Sequence, residues 1–140
     1  MLTNALNSKE YLRVTYSKER APYGPYPFQL AGYMCSNYYK HSGRILDIGC
    51  GRGDFLQAFS DFGLEPSGVD ISPAALEYGH GFDVKILNLE KEDLLCEKKF
   101  DFVFSKSVVE HMHNPIALAQ SAYHNLKDGG TAIIMTPSWA

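Results

Sequence analysis

The chain has 140 residues, 45% of them hydrophobic, and a formal net charge of −3. That length suits a single domain with its own core, and the balance is that of a globular protein rather than a disordered one. The slight acidity gives no support to nucleic-acid binding, which would show as a basic patch or stripe. No segment is apolar for long enough to span a bilayer, and the N-terminus lacks a basic-then-apolar signal pattern. Cys35, Cys50 and Cys96 are scattered without metal-ligand spacing, which predicts reduced thiols in a cytoplasmic protein.

Residues 1–42 form a first region, an aromatic-rich helical cap. Seven of the nine tyrosines fall there (Tyr11, Tyr16, Tyr23, Tyr26, Tyr33, Tyr38 and Tyr39). Pro22, Pro25 and Pro27 break up its middle, so a helix is predicted from about Phe28 to Tyr39. Such a helix would pack over one edge of whatever follows.

From Gly43 onward strands and helices alternate. Strands are predicted over Arg44–Ile48, Glu65–Asp70, Asp83–Asn88, Phe100–Ser105 and Thr131–Thr136, and helices over Asp54–Phe62, Pro73–Tyr78 and Pro115–Leu126. Pro73 and Pro115 suit a first helical turn, where a missing N–H leaves no bond unmade. Ser72 and Asn114 before them are candidate N-caps, and Gly63 and Gly129 would end their helices left-handed. Alternation of this kind predicts an α/β fold, with right-handed crossovers placing helices on both faces of a parallel sheet.

The run Asp47-Ile48-Gly49-Cys50-Gly51-Arg52-Gly53 follows the first strand and opens the first helix. In a doubly wound sheet that turn is where an adenosine-containing ligand lies. A dinucleotide site wants G-x-G-x-x-G, with a pyrophosphate at the helix N-terminus. Here the third glycine comes one residue early and Asp47 stands two residues before the first. A carboxylate there repels a pyrophosphate and attracts an ammonium group, while Asp70, ending the second strand, can accept hydrogen bonds from both ribose hydroxyls. A ligand with a cationic end and an adenosine is S-adenosylmethionine rather than a nicotinamide dinucleotide.

Four segments, ILDIGCGRGDFL (Ile45 to Leu56), GVDIS (Gly68 to Ser72), FDFVFSKSVVEHMHNP (Phe100 to Pro115) and LKDGGTAIIMTPS (Leu126 to Ser138), together resemble class I S-adenosylmethionine-dependent methyltransferases of the small-molecule type. The resemblance implies a Rossmann-like, doubly wound, mostly parallel sheet of strand order 3-2-1-4-5. It divides the chain into a cap (1–42) and a cofactor-binding core (43–140) that lacks the family's C-terminal strands. It also implies that Asp47, Gly49, Cys50, Gly51 and Gly53 hold the methionine part, Asp70 the ribose, and Ile71, Asn88 and Leu89 the adenine. Ser105 and Lys106 would line the cleft near the methyl donor. Ser107-Val108-Val109-Glu110-His111 resembles the E-x-x-E-H element of quinone-precursor O-methyltransferases. Ser107 replaces its first acid, so no metal site is predicted. His111 is the candidate general base, beside Glu110, since imidazole ordinarily titrates near neutrality. His113 and His124 read as surface residues. The expected reaction is methylation of oxygen or nitrogen on a small-molecule acceptor by a monomer or homodimer, with S-adenosylhomocysteine as product. The alternative is a cofactor-binding domain without transferase activity of its own.

Overall fold

The computed structural model describes residues 24–78 and 81–138. Most of the predicted cap (residues 1–23, with Tyr11, Tyr16, Pro22 and Tyr23) and the terminal Trp139 and Ala140 lie outside the described residues. Strands β1 (Arg44–Ile48), β2 (Glu65–Asp70), β3 (Asp83–Ile86), β4 (Phe100–Lys106) and β5 (Leu126–Met135) form one sheet. Their order is β3-β2-β1-β4-β5 and every neighbouring pair is parallel. The expected topology is the observed one.

The helices follow from the handedness of the crossovers. Steps from β1 outward to β2 and β3 carry helices α2 (Asp54–Asp61) and α3 (Ala75–Tyr78). The opposite step from β4 to β5 puts α4 (Ile116–Asn125) on the other face. Helix α1 (Tyr26–Asn37) packs with α2: Ala31, Met34 and Cys35 meet Ala58 and Phe59 above Ile45, Phe102 and Phe104 of the sheet. Leu118 and Ala122 of α4 cover Leu46, Ile48, Val69 and Val103. Strand β1 is thus buried on both faces, which is why it reads as an unbroken apolar run around one carboxylate.

Several boundaries differ from expectation, each for a local reason. Helix α1 begins at Tyr26 rather than Phe28, because Pro25 caps it and Pro27 fits the first turn instead of breaking it. It also ends earlier, at Asn37. The buried Tyr39 follows, its hydroxyl donating to the carbonyl of Val103. Strand β3 stops at Ile86 because Asn88 opens a turn, its side chain accepting from the Glu90 N–H at 3.0 Å. Helix α3 is shortened to Ala75–Tyr78, although Ser72 does accept from the Ala74 N–H at 3.3 Å.

Gly63 ends α2 as expected. Its φ is +96°, and the N–H groups of Gly63 and Leu64 donate back to Ser60 and Phe59. The other two cap assignments do not hold. Pro115, not Asn114, occupies the N-cap of α4, with no side-chain capping bond. Gly129 caps no helix, since α4 stops at Asn125 and Leu126 is already extended opposite Phe100. Its positive φ (+77°) serves a bulge, because Thr131 is the residue opposite Phe102. Asn125 is what ends α4: its fully buried amide donates to Ser121 and Leu94 carbonyls at 2.8 and 2.7 Å, and its oxygen accepts from the Cys96 N–H at 2.9 Å. That side chain pins the irregular β3-to-β4 connection where a crossover helix would otherwise pack.

Candidate functional site

The order reversal between β1 and β4 opens a crevice at the carboxyl ends of the strands, the place where open α/β sheets take ligands. On its β1–β2 side the glycine loop is built from backbone. Gly49, Gly51 and Gly53 have φ values of +84°, +53° and +88°. The N–H groups of Gly49 and Cys50 both donate to the carbonyl of Val69, at 2.7 and 3.1 Å. Asp70 takes the next one: Oδ2 accepts from the Gly51 N–H and Oδ1 from the Ser72 N–H, each at 2.9 Å. One carboxylate therefore fixes both the loop and the start of the following turn.

Two carboxyls share this corner. Burial first, then the negative charge of Asp70, push the Asp47 carboxyl up to about 8. Burial also raises Asp70, against the opposing pull of the Ser72, Gly51 and Ile71 N–H groups. Without a cation opposite, Asp47 is therefore neutral at pH 7, and a cationic ligand end would restore its charge. Beside them burial, reinforced by Asp47 and Asp70, raises the Cys50 thiol and keeps it protonated. Its sulfur lies where a side chain on Gly68 would stand, 2.6 Å from that Cβ position, so Cys50 and Gly68 fit only as a pair. Arg52, also buried, forks onto Asp54 with contacts of 2.8–3.1 Å.

The remaining predicted residues line the rim unevenly. Ile71 is 54% exposed directly after Asp70, an apolar surface beside the carboxylate. Leu87 donates to the Asp70 carbonyl at 2.9 Å, which brings Asn88 and the half-buried Leu89 alongside. Ser105 is fully buried, with its hydroxyl donating to the Ile48 carbonyl at 2.9 Å, so it holds β4 to β1 just before the loop. Lys106 points to Tyr26 of α1, its ammonium 5.5 Å from the ring centre. Across the crevice a short 3₁₀ turn (Val109–His111) carries the Glu110-His111 pair. Glu110 Oε1 is 3.7 Å from His111 Nε2, and its other oxygen accepts from the Thr136 hydroxyl at 2.8 Å. The His111 side chain is 61% exposed. His113 and His124 are exposed and apart from this pair.

Three residues here were not singled out from the sequence. Arg52 lies inside the glycine motif itself, a signal that was available. Thr136 and Val108 had none. Val108 packs against the loop, its Cγ2 lying where a Cβ on Gly49 would stand.

Comparison with known proteins places the whole chain. A family described as a methyltransferase domain matches residues 16–140. A ubiquinone biosynthesis O-methyltransferase of Xylella fastidiosa (strain 9a5c) is 32% identical over 103 residues, covering 66% of this chain and 41% of that protein. The chain thus spans less than half the length of this curated relative. A crystal structure of a Pyrococcus horikoshii OT3 protein superposes with a TM-score of 0.71 at 27% identity, covering 91% of this chain and 66% of that one. A glycopeptide N-methyltransferase solved with S-adenosyl-L-methionine shares the fold, with a TM-score of 0.67 at 17% identity over 77% of this chain and 53% of that one.

Proposed function

The chain belongs to the methyltransferase domain family, and from that premise we propose that it transfers a methyl group from S-adenosylmethionine to oxygen or nitrogen of a small-molecule acceptor. The residues present fit this cofactor. Asp47 would hold its ammonium group, the loop Gly49-Cys50-Gly51-Arg52-Gly53 the methionine part, and the N–H groups opening α2 its carboxylate. Asp70 would accept from the ribose hydroxyls, Ile71 would pack on the adenine, and Asn88 and Leu89 would flank the adenine edge. Ser105 braces the floor of the crevice from below.

Bound S-adenosylmethionine supplies an electrophilic methyl on a cationic sulfur, so in-line displacement asks the protein mainly for alignment. His111, exposed on the far rim, takes the proton of an acceptor hydroxyl, and Glu110 beside it stabilises the resulting imidazolium. The name of the O-methyltransferase relative supports an oxygen acceptor.

One observation carries the cofactor reading: Asp70, at the end of β2, holds the N–H of Gly51 in a left-handed glycine turn beside the buried Asp47. Calorimetric titration with S-adenosylhomocysteine tests it. Micromolar binding is expected, weakened by about 1–3 kcal/mol in Asp70→Ala. A folded protein that takes up none of the ligand sinks the proposal.

A further inference from the structure

Among the described residues, Ser107 is the one non-glycine with positive φ, +59°. Such a conformation persists only when its surroundings over-determine it. Three bonds do so here. Ser105 donates to the Ile48 carbonyl (2.9 Å), Ser107 donates its own N–H to the Met135 carbonyl (2.9 Å), and the His111 N–H closes the next turn onto Val108 (3.0 Å). The consequence is where Val108 lands. Its methyl occupies the space that any side chain on Gly49 would need, so the end of β4 is packed directly against the first residue of the glycine loop.

Resting on the cofactor reading above, we propose that Ser107 is a positioning residue for the S-adenosylmethionine site. Its left-handed backbone turns the chain at the end of β4 so that Val108 closes the β4 side of the glycine loop. The serine acts through its backbone, not its hydroxyl. It sets how deeply the methionine part can sit, and Val108 is the wall against which that part rests.

Replacement by residues of different backbone preference separates this from a merely structural role. Ser107→Val, β-branched and unsuited to positive φ, should weaken S-adenosylhomocysteine binding about tenfold or more by calorimetry. Ser107→Gly, which adopts the conformation freely, should keep the dissociation constant within about threefold of wild type. If Ser107→Val does not fold, Val108→Ala decides: it removes the wall without touching the turn and should weaken binding severalfold at an unchanged fold by circular dichroism. Equal loss in Ser107→Gly and Ser107→Val would mean that the hydroxyl does the binding, and would overturn the proposal. So would wild-type affinity in a folded Ser107→Val or in Val108→Ala. Wild-type protein that is folded and binds no S-adenosylhomocysteine defeats the cofactor reading itself, an outcome distinct from these.

Discussion

The two rims of the crevice are held by different means. On the β1–β2 side, backbone N–H groups meet a carbonyl and a carboxylate, the side chains are buried, and both acids have raised pKa values. On the β4–β5 side, Glu110 meets Thr136 and His111 through side chains alone, with the His111 side chain 61% exposed. Buried, backbone-built geometry is fixed before a ligand arrives. An exposed side-chain cluster is adjustable and contributes little to stability. The first arrangement suits a ligand that never varies, the second an acceptor that differs from one relative to the next.

The contrast is broken most severely at Gly49. Gly49→Ala must place a Cβ at φ +84° and onto Val108, and should destabilise the protein by about 2–4 kcal/mol in urea melts while abolishing cofactor binding. Asn125→Ala should come close in stability, losing about 2–4 kcal/mol because it leaves the Leu94 and Ser121 carbonyls and the Cys96 N–H without their partner, yet it lies away from the ligand. Calorimetry on the folded variant should find cofactor binding kept, because Asn125 stands on neither rim.

The buried rim should also respond to pH. Asp47 has a folded pKa of about 8 against an ordinary 3.8. Between those values the folded state keeps a proton that the unfolded state has lost. Stability of the ligand-free protein is therefore fullest below about pH 4 as regards this group. It falls with rising pH at a slope of up to about 1.4 kcal/mol per unit, and levels off above about pH 8. Thermal melts across that window should show the decline in wild type and a flatter curve in Asp47→Asn. Bound S-adenosylhomocysteine, with its ammonium group, should reduce the slope. The smallest effect is expected at Thr136→Val, below about 1 kcal/mol in stability, since the lost bond to Glu110 is exposed.

What was legible in the sequence follows the same division. Strands β1 and β2 fall at their expected positions, β1 on its apolar run, and the turn after β1 is set by glycines two residues apart. Local chemistry decides those features. The misread ones depend on distant partners. Gly129 has the positive φ of a helix cap, but α4 is ended instead by the Asn125 amide reaching Leu94, about thirty residues away in the chain. Cys50 reads as a residue of the cofactor loop, with no mark of Gly68 against its sulfur, and Val108 carries no mark of its contact with Gly49. Tyr39, one of seven tyrosines in its region, is distinguished only by the carbonyl it reaches on β4.

The anchoring of the β3-to-β4 connection by Asn125 bears on how this fold can change length. Asn125 grips Leu94 and Cys96, just before the chain enters β4, while residues 90–93 ahead of them are exposed. Residues added at Lys91 or Glu92 would lengthen a surface turn and stop at that grip, leaving the pairing of Phe102 with Ile45 unmoved. Beyond that grip the chain is held a second time, where the Arg44 guanidinium donates to the carbonyls of Lys98 and Lys99 at 2.8 and 3.1 Å. A single amide thus separates a surface turn that can lengthen from the stretch of chain that feeds β4.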